Sequence, residues 1–454
     1  MTDVAVPSGA PDAAPDGRGF LFDLNRCTGC HACELACATE NGLEWGTSWR
    51  QVVTFNEDRL PSIPTYHLSL ACNHCRDAPC RRHCPALAID RDPATGAVLI
   101  DDAKCIGSAY CSWACPYDAP RFDAGAGVMR KCTWCRPRLA EGREPACVEQ
   151  CPTGALGFGT LAGETAVPGF PDTPARPAIR FTPLRNDRRV PETTWEPPPD
   201  LEAFAASRPV RGPVIALGTE WPLCLFTLLV SALAGWVLGT LGGAAPPPLP
   251  AFLGAAGLAA AASTLHLGRR DRLWRAVLNI RGSWLSREIV FFGAFSAVTV
   301  LHLLVPDLPG AGLAAAVLGA ATLASIDRVY DLVRPSGSRL HSADTVLTGA
   351  LVACLSGNLA VGAAVLAGAK LVLYAAGTRR NPGGPGAWVL HAVRIAGLVA
   401  AGTVFASGPA SAGTWILLAA AEVIDRVRFY RGLRVPSPHR QTAADLARAR
   451  ARAR

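Results

Sequence analysis

No export signal is visible at the head of this 454-residue chain. Its first 18 residues are mostly Pro, Ala, Gly and Asp, with no apolar core and no twin arginine, and they read as a disordered leader. Charge is scarce beyond residue 213, whereas half of the whole chain is hydrophobic. That contrast predicts a soluble domain followed by a membrane domain, in a chain too long for one ordinary domain. An even cysteine framework is lacking too. Of 17 cysteines, 15 lie between Cys27 and Cys151, and Cys224 and Cys354 stand alone in apolar runs. An odd number of clustered cysteines, with no visible export signal, argues against disulfides. The net charge of +8 does not point to nucleic acid. The arginines collect between apolar runs and in the tail, as they do at a membrane edge.

Residues 19–157 carry the cysteines on short loops with little helical periodicity. Residues 158–212 are rich in Pro and Arg and read as an extended connector. Residues 213–432 read as an anchor domain and 433–454 as a basic tail. The expected fold class is an α+β ferredoxin-like multi-cluster domain, then an all-α polytopic membrane domain of about eight helices. Helices are expected near 221–241, 249–267, 287–305, 310–327, 342–357, 359–376, 387–406 and 413–430. A span needs about 20 apolar residues. The stretch 342–376 is long for one and short for two, and charge decides it. With a break at Gly357-Asn358, the segments after the second, fourth and sixth helices, together with the end of the chain from Arg426, hold 20 arginines. The opposite turns, 242–248, 306–309, 357–358 and 407–412, hold no Lys or Arg. The positive-inside rule then puts both termini and the iron–sulfur domain on the cytoplasmic side of the cell membrane.

The clustered cysteines form four groups. They are Cys27, Cys30, Cys33 and Cys37; Cys72, Cys75, Cys80 and Cys84; Cys105, Cys111 and Cys115; and Cys132, Cys135, Cys147 and Cys151. Spacings of two and three residues let a short loop wrap thiolates around one cubane. A last cysteine, usually followed by Pro, turns away to a neighbouring cluster. Zinc sites use isolated CxxC pairs and do not need that trailing Cys-Pro. The third group departs from the pattern, because Ser108 stands where a second ligand belongs. A hydroxyl is a poor match for soft iron–sulfur chemistry. Three outcomes stay open there: a three-iron 3Fe–4S cluster, a four-iron cluster with an oxygen or external ligand, or an empty site.

The stretches FDLNRCTGCHACELAC, ACNHC, CPALAI, CSWACPYDAPRF, KCTWC and CPTGALGFG resemble the iron–sulfur subunit of the dimethyl sulfoxide reductase family of molybdopterin enzymes. The resemblance covers about residues 20–183. It implies three 4Fe–4S clusters, on Cys27, Cys30, Cys33 and Cys151; on Cys132, Cys135, Cys147 and Cys37; and on Cys72, Cys75, Cys80 and Cys115. The fourth site takes Cys105, Cys111 and Cys84, with Ser108 at the vacant ligand position. Related nitrate reductase subunits also lack a cysteine at that corner and carry a three-iron cluster. TEWPLCLFTLL, STLHLG, RAVLNIRGSWLSREI and AEVIDRVRFY resemble the anchor subunit of the same enzymes. That resemblance implies menaquinol oxidation without haem, and two subunits fused in one chain.

Quinol oxidation needs a group to hydrogen-bond the hydroxyl and another to take a proton. His266 ends the second expected helix and Glu288 begins the third, near one membrane face, and the resemblance points to the same two positions. Histidine titrates near neutrality, and ionisable groups at membrane depth are functional by default. Arg287 is a third candidate, for the quinol oxygen or for pairing with Glu288. Lys370 and Arg394 lie about two turns from a cytoplasmic end and are expected to snorkel. Glu422 and Arg426, four apart, are expected to pair. Cys224 and Cys354 are expected to pack. His302 lacks a second axial-type histidine, so no haem is expected. The resulting expectation is a subunit of an anaerobic respiratory complex, relaying electrons from the membrane quinone pool to a separate molybdopterin catalytic subunit. This chain shows no molybdenum site of its own. The alternatives are the reverse flow, from a dehydrogenase into the quinone pool, and a scaffold with structural clusters.

Overall fold

Two phenylalanines spaced two apart set the first strand. Arg18–Asp23 (β1) buries Phe20 and Phe22 in the computed structural model, which describes residues 17–44, 48–55, 65–167, 170, 173–185, 217–333, 340–380, 387–403 and 412–433. Most of the expected leader, residues 186–212 of the connector, 213–216 at the start of the anchor domain and 434–454 of the tail lie outside the described residues. The chain divides into two units, with the main division between Pro213 and Val214.

In the first unit, hairpins alternate with cysteine loops. Gln51–Phe55 (β2) pairs antiparallel with Tyr66–Leu70 (β3), Ile89–Arg91 (β4) with Val98–Ile100 (β5), and Arg121–Asp123 (β6) with Val128–Arg130 (β7). The second and third of these hairpins share a turn. Gly96 N–H donates to the Asp92 carbonyl at 2.8 Å, and Gly127 N–H to that of Asp123 at 2.8 Å. Both glycines have positive φ, 75° and 67°, which a residue without Cβ adopts freely. Leu156–Thr160 (β8) pairs antiparallel with β1, and Ile179–Thr182 (β9) pairs parallel with it on the other side. The expected connector therefore supplies a strand to this unit. Short helices carry some of the cysteines: Ala32–Glu40 (α1), Pro79–His83 (α2), Tyr110–Trp113 (α3) and, after Arg136–Ala140 (α4), which Cys135 precedes, Ala146–Glu149 (α5). α1 packs on α5, and α2 on α3.

Among its described residues the second unit holds eight α-helices: Leu217–Thr240 (α6), Leu249–Leu265 (α7), Trp284–Leu304 (α8), Ala311–Tyr330 (α9), Thr345–Ser356 (α10), Ala360–Arg380 (α11), Ala387–Thr403 (α12) and Ala412–Gly432 (α13). A 3-10 segment, Arg270–Val277, follows α7. The break between α10 and α11 falls at Gly357-Asn358, where Asn358 takes φ 54°. Among the described residues, α6, α8, α9 and α11 are long and apolar enough to cross a membrane, and α7 with its 3-10 segment, bent by 105°, makes a fifth if it is one broken span. α10 is shorter, and α13 carries Glu422, Asp425 and Arg426 within its length. α6 touches α7, α9, α10 and α13. It approaches α10 at Gly235, where a Cβ would meet the Gly349 carbonyl oxygen at 2.5 Å. Small residues at such a crossing let helix backbones close without a hydrophobic driving force.

Two expectations fail in this bundle. Lys370 and Arg394 do not snorkel; each is 0 % exposed. Lys370 Nζ lies 3.2 Å from Glu422 Oε2 and donates to the Ser342 carbonyl and, at 2.9 Å, to Thr348 Oγ1. Arg394 bonds Glu422 Oε1 at 2.8 Å and Asp425 Oδ2 at 2.7 Å. Ser342 Oγ donates to Asp425 Oδ1 at 2.8 Å. The faces of α11 and α12 that carry the two cations look onto α13, not onto lipid. Glu422 is thereby taken from its expected partner, and Arg426, also buried, has no hydrogen bond at Nε and Nη2 among the described residues. Cys224 is buried as expected, and Cys354 packs beside the cluster of Leu351, Leu355, Ala363 and Leu398.

Candidate functional sites in the two units

The cysteine loops of the first unit repeat one backbone course. After Cys27, Gly29 takes φ 69° and His31 takes φ 61°, and α1 then presents Cys33 and Cys37. After Cys105, Gly107 takes φ 68° and Ala109 takes φ 56°, and α3 then presents Cys111. Ser108 thus stands in its loop where Cys30 stands in the first. The other two loops place a left-handed residue at the same offset, His74 with φ 41° and Trp134 with φ 58°. Such a backbone is costly for a large side chain and persists only where packing holds it. Here the two rings lie against each other, 4.3 Å between centroids, and Trp134 meets Phe158 edge-on at 5.1 Å. His74 Nδ1 accepts the Val98 N–H at 2.9 Å. Burial, with Lys131, Arg91 and Arg50 nearby, holds this imidazole well below its usual range, so it is neutral at pH 7.

Burial pushes most of the cysteine thiols up, and neighbouring thiols, some of them from other groups, add to the effect. Cys33, Cys151 and Cys30 act on Cys27. Cys147 and Cys37 act on Cys135, which burial and these neighbours bring to about 11. Cys115, Cys72 and Cys80 act on Cys75, and burial with Cys80 and Cys72 brings Cys115 to about 12. Cys105 acts on Cys84, and Cys84, Cys80, Cys105 and Cys115 act on Cys111. Among the described residues, no three His, Cys, Asp or Glu converge tightly enough to hold a single metal ion. A multi-iron cluster is a larger body, and its thiolates stand further apart. The donor set is soft and deprotonates on metal binding, as iron–sulfur clusters require. Among the described residues, three buried donors beside these sets have no hydrogen-bond partner, namely Arg50 Nη2, His74 Nε2 and Trp134 Nε1. Sulfur acceptors of a bound cluster would satisfy them.

Arg50 and Lys131 are 1 % and 3 % exposed among these thiols. Neither carries a signal in the sequence, since a lone basic residue in a loop ordinarily points to water.

In the second unit, a cavity of about 810 Å³ has apolar walls from Phe226, Phe252, Leu273 and Phe292, and both His266 and Glu288 line it. Phe226 and Phe292 meet edge-on at 5.6 Å. His266 caps the C-terminus of α7, and its Nδ1 has no hydrogen-bond partner among the described residues. Glu288, 5 % exposed, sits one turn inside α8. That turn is fixed by Ser283 Oγ, which accepts the Ser286 N–H at 3.4 Å, and by Ser286 Oγ, which donates to the Ala276 carbonyl at 2.7 Å. Arg287 does not line the cavity. It donates to the Ile280 carbonyl at 2.9 Å and the Arg281 carbonyl at 2.8 Å, and its guanidinium lies 4.2 Å from the Trp284 ring centre.

Comparison with known proteins matches both units. Residues 63–161 fit the family model of the 4Fe-4S dicluster domain, and residues 251–371 that of the DMSO reductase anchor subunit (DmsC). Over 194 residues the protein is 39% identical to the probable anaerobic dimethyl sulfoxide reductase chain YnfG of Escherichia coli (strain K12), covering 39% of the present sequence and 93% of that relative. Over 168 residues it is 39% identical to the formate dehydrogenase iron-sulfur subunit of Wolinella succinogenes, covering 32% and 80%. Over 145 residues it is 41% identical to the thiosulfate reductase electron transfer subunit PhsB of Salmonella typhi, covering 31% and 75%. An iron–sulfur electron-transfer unit is thus continued into a membrane anchor. The protein belongs to the dimethyl sulfoxide reductase family, with the iron–sulfur subunit and the membrane anchor subunit fused in one polypeptide.

Proposed function

We propose that the protein oxidises menaquinol in the cavity of the second unit and passes the electrons, through iron–sulfur clusters, to a separate molybdopterin catalytic subunit. One observation carries this reading: His266 and Glu288, from two different helices, line the same apolar cavity. Oxidation of a quinol removes two protons along with two electrons. His266 Nδ1, with no hydrogen-bond partner among the described residues, accepts the hydrogen bond of one quinol hydroxyl. Glu288, as its carboxylate, takes one proton, and His266 takes the other from the hydroxyl it holds. Phe226, Phe252 and Phe292 keep water from the ring. Arg287 is assigned no contact with quinol.

The clusters would be held by the four cysteine sets described above, with Ser108 at the vacant position of the fourth, and when bound they carry electrons one at a time. The repeated backbone course, with Ser108 in the place of Cys30, supports a three-iron cluster there. Ser108→Cys supplies the missing thiolate. It is expected to replace the three-iron EPR signal of the oxidised protein with a fourth four-iron signal in the reduced protein. A wild-type protein fully loaded with iron and showing no three-iron signal would sink the assignment. We place the cluster domain and both termini in the cytoplasm. Leaving out the buried Arg426, the arginine count is 19 on that side and none on the other.

The decisive experiment adds a menaquinol analogue to membranes containing the protein and follows the clusters by EPR. Reduction at a rate competent for turnover is expected. The likeness to a formate dehydrogenase iron-sulfur subunit favours a second reading, in which electrons run from a dehydrogenase into the quinone pool. Clusters that quinone re-oxidises but quinol does not reduce would select that reading.

A further inference from the structure

Among its described residues the first unit buries two cations that have no carboxylate among their strongest neighbours. Arg50 precedes β2. Its Nη1 donates to the Ser69 carbonyl at 3.0 Å and to Ser69 Oγ at 3.1 Å, and its guanidinium lies 4.2 Å from the Phe20 ring centre. Ser69 Oγ in turn stands 3.2 Å from Cys33 Sγ. The anionic neighbours of Arg50 are Cys147, Cys33, Cys132 and Cys37. Cys33 belongs to the first thiol set and the other three to the second. Lys131 follows β7. Its Nζ donates to the Val98 carbonyl and, at 3.4 Å, to that of Cys132. Its anionic neighbours are Cys72, Cys80 and Cys132, two from the third set and one from the second. No cation stands among the strongest neighbours of Cys111 in the fourth set.

A buried charge without a counter-ion costs several kcal/mol. Ser69 and two backbone carbonyls orient these cations but do not neutralise them. What remains to neutralise them is the thiolate charge of the sets on either side. We propose that Arg50 and Lys131 are potential-setting cations, Arg50 seated between the first and second cluster sites and Lys131 between the second and third, each raising the reduction potentials of the two sites it faces. The physical ground is simple. Reduction adds an electron to a group already negative from its thiolates, and a fixed cation in a low-dielectric interior favours the more negative state. The second site faces both cations, so it is held highest of the four-iron sites by this effect.

This inference rests on the cluster assignment made above, and its test separates the two. The intact membrane protein is titrated with dithionite and followed by EPR at each potential, alongside iron and spin counts. If wild-type protein lacks four EPR-active centres, the cluster assignment fails. Given four centres, Arg50→Gln is expected to lower the first and second potentials by a factor of about ten in the reduction equilibrium, which is 59 mV for a one-electron couple. The third and fourth are expected to stay in place. Lys131→Gln is expected to lower the second and third and spare the first. Arg50→Lys and Lys131→Arg keep the charge and are expected to keep the potentials. Full loading with unchanged potentials in the Gln variants overturns the proposal, as does a uniform shift of all four. Should Arg50→Gln fail to load, Lys131→Gln carries the same decision alone.

Discussion

Glu288→Gln is expected to slow quinol-driven cluster reduction by about 100- to 1,000-fold, the loss typical of removing a positioned proton acceptor. The amide keeps the volume of the side chain and can still hydrogen-bond a hydroxyl, so the quinol should still enter the cavity. It cannot take the proton. The loss therefore belongs in kcat, with KM nearly unchanged. Stopped-flow reduction of the clusters by a menaquinol analogue, over a range of quinol concentrations, separates the two. Arg287→Gln is the internal comparison. Its guanidinium is held by the Ile280 and Arg281 carbonyls and the Trp284 ring, so its loss should leave the rate within a few-fold of the parent. If Arg287→Gln were the damaging change and Glu288→Gln the mild one, the assignment of the proton acceptor would be wrong.

Arg394→Leu is expected to destabilise the anchor by about 3–5 kcal/mol, because among the described residues it leaves Glu422 paired with Lys370 alone and removes the ion-pair partner of the buried Asp425. The readout is thermal unfolding in detergent and the yield of folded protein in membranes. A second substitution makes the argument specific. Replacing a whole buried ion pair with apolar residues of similar volume is often neutral. Arg394→Leu combined with Asp425→Leu should therefore recover part of the loss. Additive damage in the double variant would mean that the residues act through packing alone, and not as a charge pair. The network joins α11, α12 and α13 through residues distant in sequence, so its removal should loosen the C-terminal half of the bundle first.

How much of this is legible in the sequence differs between the two units. In the first, cysteine spacing is a chemical constraint written directly in the chain. Iron–sulfur ligation needs thiolates at short fixed separations, so the four groups and the odd serine at 108 are readable without coordinates. The structure adds the reason Ser108 is the equivalent position: Gly107 and Ala109 repeat the left-handed steps of Gly29 and His31. Strand β9 is hidden because Ile179–Thr182 is a four-residue run inside a Pro- and Arg-rich stretch, and its partner β1 is far away in sequence.

In the anchor, hydropathy locates eight helices, and arginine asymmetry places the break at Gly357-Asn358. Neither shows which face of a helix meets which neighbour. A helix that is apolar all round has no preferred side in its pattern, so Lys370 and Arg394 look like charges reaching for the membrane edge. By itself the sequence determined the soft thiol-rich donor set, the division into an iron–sulfur part and a membrane-anchor part, and the eight helices seen among the described residues, because spacing, composition and charge act locally along the chain. Only the tertiary structure decided that Lys370 and Arg394 share Glu422 and Asp425, that Arg287 turns away from the cavity His266 and Glu288 line, and that Arg50 and Lys131 are buried among thiols. Each of these depends on helices and loops distant in sequence being brought to one place, and a buried charge settles wherever packing supplies its counter-charge.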